Sequence, residues 1–419
     1  MQKTIHIIGA GISGLSAAVR LANAGYRVQV HEATQQTGGR CRSYFDPVLE
    51  QVIDNGNHLV LSGNQGVYAY LRTVGAEASL AGPGRAEFDF ADVRTGARWK
   101  IRPNESALAW WLLSPSRRVP DTVPSDYLAL ARLVMAGSEK RIGEVIACSG
   151  ALWDRLLRPF LLAVLNTEPK IASASLAGAV IRESLAKGGR AYRPRIAYPN
   201  LAAAFVEPAL EYLKRKGATI RLSQRVRAIT FDDSSARALL LPDSELPLAS
   251  GDAVILAVPP WVASEMVPGI AAPTEFCAIV NAHFRANPPA GTPLMTGVIG
   301  GTAEWIFAFP DRISITVSGA DAIADKEREE LARLFWSDVA KVFNLPPTLP
   351  PWQIVKERRA TFAATPEQDS LRPQTLTRWP NLLLAGDWTD TGLPATIEGA
   401  IRSGHKAARL SFSRASSSK

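Results

Sequence analysis

Residues 4–32 read TIHIIGAGISGLSAAVRLANAGYRVQVHE. Thr4 to Ile8 is a short β-branched run suited to a buried strand of a parallel sheet. Gly9-Ala10-Gly11-Ile12-Ser13-Gly14 follows, and then small and apolar residues suited to a helix pressed on that sheet. Gly25 stops the helix, and residues 26–32 form the next strand. Strand, glycine turn, helix and strand in this order predict a Rossmann-like α/β domain. The glycines divide the work: a tight turn, close backbone approach to a pyrophosphate, and close helix–strand packing. The helix amino terminus, through Ile12 and Ser13, then presents N–H groups and partial positive charge to phosphate. Glu32, followed by Ala33, closes the second strand at the offset of a ribose ligand. A carboxylate there accepts both ribose hydroxyls and repels a 2′-phosphate, which disfavours NADP at this turn.

Two further segments extend the pattern. Gly38-Gly39-Arg40 exposes backbone N–H groups beside a guanidinium that can fork onto phosphate oxygens. At the opposite end, residues 382–404 read LLLAGDWTDTGLPATIEGAIRSG, a strand meeting Gly386-Asp387 and then a helix starting near Ala395-Thr396-Ile397. One dinucleotide would be held by both ends of the chain.

Together these motifs resemble the FAD-dependent amine oxidases and carotenoid-type desaturases. The resemblance implies an amine oxidase-type flavoprotein with FAD as cofactor and an interleaved α+β substrate domain. It places Gly39 and Arg40 on the pyrophosphate and Asn55-Gly56-Asn57-His58 beside the isoalloxazine ring. It also places the backbone near Val226 on the adenine and Asp387 on the ribityl or pyrophosphate portion. Thr396 and Ile397 would face the flavin pyrimidine edge, where a helix dipole favours the anionic reduced flavin. The expected partition is 1–65, 195–262 and 352–411 for the cofactor and 66–194 with 263–351 for the substrate. Residues 412–419 would be an unstructured tail.

The chain has 419 residues, 47% hydrophobic and 21% charged, which fits two globular domains. Its three cysteines, Cys41, Cys148 and Cys277, lack metal-ligand spacing and read as reduced thiols, so no metal is expected. The net charge of +8 is scattered without any nucleic-acid module. A core strand begins almost at Met1, so no cleavable leader is expected, and no apolar run reaches membrane-spanning length. The expectation is a cytoplasmic protein, or one peripheral on the inner face of the cytoplasmic membrane. Residues 108–118, LAWWLLSPSRR, read either as a segment dipping into headgroups or as a buried amphipathic helix ended at Pro115, the second reading preferred.

The resembling amine oxidases carry a lysine near flavin N5 after the LAVPP-like strand. This sequence has none between Pro260 and Lys326, and Trp388 is the sole aromatic residue beside the last fingerprint. Segments 53–64, 159–176, 198–218 and 383–408 instead resemble the bacterial hydroxysqualene dehydroxylases, or squalene-associated FAD-dependent desaturases. That family makes squalene, upstream of hopanoids, by a net two-electron reduction. The resemblance implies an apolar isoprenoid drawn from a membrane surface, loss of an allylic hydroxyl, and hydride transfer from reduced flavin. Hydroxide leaves poorly, so a proton donor is required: His58 is the first candidate, with Asp54 and Asp390 behind it. The electron donor is left open, because no second dinucleotide fingerprint appears. The alternatives are a carotenoid-type polyprenyl desaturase or isomerase, an amine oxidase, and a non-catalytic flavin- or lipid-binding protein.

Overall fold

The computed structural model describes residues 3–416. Five parallel strands form one sheet, ordered 219–221, 27–31, 4–8, 253–256 and 382–384, so the two ends of the chain meet in one layer. Ile7 stands between Val30 and Ile255, and all three are fully buried. Helix Ile12–Asn23 covers this sheet with helix Ile397–Ser416 against it. Their approach is set by glycine: a Cβ on Gly404 would lie 2.2 Å from the Ser13 carbonyl oxygen. At Gly9 the chain adopts φ +102°, and a Cβ there would stand 2.5 Å from the Ala257 carbonyl oxygen. Only glycine satisfies both conditions.

A second sheet of seven strands, mostly antiparallel, runs in the order 352–362, 276–284, 313–317, 305–308, 295–299, 88–92 and 98–101. Alternation gives it two unlike faces. Val280, Ala282, Ile315, Ile306 and Val298 pack on Leu331, Phe335 and Val339 of helix Arg328–Phe343. From the paired registers, Asn281, His283, Ser314 and Thr316 share the other face with Trp305, Phe307 and Met295. That face runs from polar to aromatic and meets helices Arg158–Leu165 and Ala174–Glu183 in the largest core cluster.

Several elements differ from the sequence reading. Strand Trp352–Phe362 closes the edge of the seven-stranded sheet, although residues from 352 onward were grouped with the cofactor segments. Helix Gln65–Val74, grouped with the substrate part, buries Val67, Tyr70 and Leu71 in the core of the parallel sheet. Its amino terminus is capped from outside: the Glu398 carboxylate accepts from Gly66 N and Val67 N at 2.9 and 2.8 Å. Of the expected tail, residues 412–416 continue helix Ile397–Ser416, and 417–419 lie outside the described residues. The preferred buried helix at 108–118 is a four-residue 3-10 turn, Trp110–Leu113, with Leu108 and Leu113 exposed and Trp111 buried.

Candidate functional site

The carboxyl ends of the parallel strands bring the cofactor segments together. Helix Ile12–Asn23 starts at Gly11 with no side-chain cap, which leaves its first N–H groups for an anion. A Cβ on Gly11 would meet nothing within 4 Å, and one on Gly39 would sit 3.3 Å from Gly11 Cα, so the two glycine turns face each other. Glu32 is held at the end of its strand, accepting from Ala10 N at 2.8 Å and from Thr34 N at 2.9 Å. Beside it, Gln224 N donates to the Glu32 carbonyl and the Gln224 side chain reaches His31, which leads the chain to buried Val226.

Across the cleft, Arg40 Nη2 donates to Asp387 Oδ1 at 2.7 Å, and Arg40 Nη1 donates to the Ala360 carbonyl. The Arg40 side chain remains 44% exposed, so its guanidinium stays within reach of a ligand. Gly386 is pinned by Ser403 Oγ at 2.8 Å, and Thr396 caps the last helix by accepting from Gly399 N at 3.1 Å. The 386–391 loop is organised by Arg372, which the sequence reading missed. Its buried guanidinium donates to the carbonyls of Asp387 and Thr389 and pairs with Asp369 at 2.8 Å. Nothing in the local spacing marks this arginine, since its partners come from folded backbone.

The segment 54–58 is clamped against the polar face of the seven-stranded sheet. His283 Nε2 donates to the Asp54 carbonyl at 3.0 Å and its Nδ1 accepts from Ser314 Oγ at 2.8 Å. Asn281 Nδ2 donates to the Asn55 carbonyl at 3.3 Å, and a Cβ on Gly56 would press on that same amide at 2.9 Å. Asn57 Nδ2 donates to Thr316 Oγ1 at 3.2 Å, while its buried Oδ1 has no partner. An orphaned acceptor costs free energy unless a ligand supplies a donor. Uncapped helix N–H groups, facing glycine turns and this acceptor fit a dinucleotide bearing a ring with N–H donors.

The three candidate proton donors separate. Half-buried His58 lies beside Arg40 and Asp387; burial and the Arg40 charge push its pKa down to about 4. Asp54 is buried, with Oδ1 accepting from Ser43 Oγ and Leu201 N at 2.6 and 2.8 Å; burial raises its pKa. Asp390 is exposed and accepts from Gln374 Nε2 at 2.6 Å. Glu304 was not anticipated: burial raises its pKa to about 7, and its Oε2 accepts from Ser318 N at 2.8 Å. Its neighbour Trp305 presents a buried indole N–H without a partner. The Trp388 indole donates to the Val258 carbonyl, so it is committed to the parallel-sheet side. His6 and His31 contact each other at 3.2 Å within the parallel sheet, in keeping with a structural role. Among the described residues, no group of three or more His, Cys, Asp or Glu could hold a metal ion.

The model of the flavin-containing amine oxidoreductases matches residues 12–410. The chain is 54% identical to a hydroxysqualene dehydroxylase of Rhodopseudomonas palustris, covering 98% of both chains. It is 53% identical to one of Sinorhizobium fredii, covering 99% of both. This chain belongs to the hydroxysqualene dehydroxylase family. The family assignment makes it a flavoprotein oxidoreductase with FAD as cofactor. The fold agrees: cyclohexylamine oxidase from Brevibacterium oxydans superposes with a TM-score of 0.71 at 18% identity, covering 99% of both chains. FAD would be held by the turns at Gly9–Gly14 and Gly38–Gly39, with Glu32, Arg40 and Asn57.

Proposed function

We propose that this protein reduces hydroxysqualene to squalene and water, acting within squalene and hopanoid biosynthesis. The observation that carries the reading is one sheet face joining Asn281 and Thr316, which hold the 55–57 segment, to Trp305, Phe307 and Met295. A cofactor edge beside an apolar, aromatic wall suits a long isoprenoid with one reacting hydroxyl. Bound FAD, once reduced, supplies the hydride.

The chain's own residues supply the rest. The apolar wall excludes water, so an allylic cation is captured by hydride and not by hydroxide. Trp305, held edge to face by Phe90 at 5.7 Å, is the aromatic ring of this wall placed to offer negative π density to such a cation. His58 is the group we assign to the departing hydroxyl. With its pKa near 4 it is neutral at pH 7 and orients the hydroxyl through its ring nitrogen as a hydrogen-bond acceptor, while the proton that lets the hydroxyl leave as water comes from solvent. Asp54 serves as scaffold, and Asp390 has no part in the step.

The substrate would be collected at a lipid surface. Among the described residues no helix is long and apolar enough to cross a membrane. Leu108 (78% exposed), Trp110 (51%), Leu113 (73%) and Met135 (76%) stand out within residues 108–135. Arg117 stacks over Trp110 at 4.6 Å, and Arg102 and Arg132 are exposed nearby in the chain. Apolar side chains ringed by arginines suit an anionic bilayer, which would make the protein peripheral on the inner face of the cytoplasmic membrane.

The test is a substrate panel. Dithionite-reduced protein should convert hydroxysqualene to squalene, while phytoene offered with a quinone acceptor stays unchanged. Desaturation of phytoene with hydroxysqualene left intact would replace this reading by a carotenoid-type desaturase.

A further inference from the structure

A groove of about 600 Å³ opens between the hairpin 43–54 and strand Trp352–Phe362. Of the cofactor segments it touches Asn55 alone, so it adjoins the flavin site without being part of it. Arg42, Arg328 and Lys356 line it, with Tyr44 and Glu357. Neighbouring arginines are spoken for: Arg285 pairs with Glu50 and Arg358 with Asp325. Arg42 and Arg328 pair with no carboxylate among the described residues. Arg328 also opens helix Arg328–Phe343, where a cation opposes the helix dipole. Arg42 spends one N–H on the Gly39 carbonyl and the Lys356 ammonium donates to the Lys326 carbonyl, so three cations without a countercharge surround one recess, a site for an anion carrying more than one charge.

We propose that this groove binds the reductant, and that the reductant is a pyrophosphate-bearing dihydronicotinamide dinucleotide. The inference rests on the reductive reading above, which requires two electrons per turnover. The volume lies within the range of cofactor pockets. The cations match the pyrophosphate, the Tyr44 ring offers a stacking face, and Glu357 can accept from ribose hydroxyls. Asn55 brings one end of the groove to the segment beside the flavin site. The sum balances: the dihydronicotinamide gives up a hydride and becomes the pyridinium, and solvent gives a proton. Together these convert hydroxysqualene to squalene and water.

The experiment mixes FAD-loaded protein anaerobically with NADPH or NADH and follows loss of the oxidised flavin's absorbance, alongside fluorescence titration of dinucleotide binding. The parent should bind and bleach. Arg328→Glu and Lys356→Glu should raise the half-saturating concentration by roughly tenfold or more, and the milder Arg328→Gln by less. Dithionite should bleach parent and variants equally, which separates a lost groove from a lost flavin site. A flavin that dithionite bleaches and neither dinucleotide does would overturn the proposal, as would variants that saturate like the parent. Reduction by an acidic electron-carrier protein alone would overturn it too. If the dinucleotides bind and bleach as expected while hydroxysqualene is ignored, the groove stands and the dehydroxylation reading falls.

Discussion

The guanidinium of Arg40 lies 2.7 Å from the carboxylate of Asp387, a residue 347 positions away in the chain. This contact joins the double-glycine turn to the carboxy-terminal fingerprint across the cofactor cleft. Removing either partner should therefore weaken FAD retention. A charge-assisted pair with ligand contacts contributes about 1.5–3 kcal/mol. Arg40→Ala and Asp387→Ala should each raise the Kd for FAD by roughly 10- to 100-fold in a flavin fluorescence titration, with Arg40→Lys in between.

Gly404 and Gly84 give a matched pair. A Cβ on Gly404 meets Ser13 O and Ser16 Oγ at 2.2 Å, whereas one on exposed Gly84 meets nothing within 4 Å. Gly404→Ala should force apart the two helices that flank the phosphate turn, costing about 2 kcal/mol of overpacking along with bound flavin. Gly84→Ala should leave urea unfolding nearly unchanged.

Acid sensitivity should trace in part to His283. Burial and the Arg312 charge push its pKa from 6.5 to about 4 in the folded protein. The unfolded chain therefore takes up the proton first. Stability from this residue is complete above pH 6.5 and is lost as pH falls towards 4, a change on the order of 3 kcal/mol. His283→Gln, which cannot titrate, should flatten the dependence of unfolding free energy on pH by up to one proton between pH 6 and 4.

Glu304 should act in the opposite direction. Burial raises its pKa from 4.5 to about 7, so its ionisation destabilises the fold as pH rises from 4.5 through 7. Glu304→Gln should raise the melting temperature at pH 8 and have little effect at pH 5, by differential scanning calorimetry.

The exposed leucines should govern lipid binding. Leu108→Ser with Leu113→Ser removes two side chains worth roughly 1.5–3 kcal/mol each when buried. Partition onto anionic vesicles in a sedimentation assay should fall by about 100-fold or more, with conversion of detergent-dispersed hydroxysqualene retained.

The cofactor half was legible because its demands are local. Gly9, Gly14 and Glu32 sit at offsets imposed by one turn and one helix, and the tail fingerprint repeats that logic. The substrate half was less so. Strand Trp352–Phe362 carries no mark of the sheet it joins, because pairing with residues 276–284 is a matter of register. Helix Gln65–Val74 went to the wrong core because its cap comes from Glu398, more than 300 positions away. Arg372, Glu304 and the groove around Arg328 depend on burial and convergence, which spacing does not encode. The sequence names His58 only as a candidate, and its neutral state follows from burial and Arg40.

The most direct test is an anaerobic single turnover. FAD-loaded protein is reduced with one equivalent of dithionite and mixed with hydroxysqualene, and flavin absorbance is followed while the lipid is extracted. The account predicts reoxidation of the flavin matched mole for mole by squalene. A flavin that stays reduced while hydroxysqualene is recovered intact would contradict it.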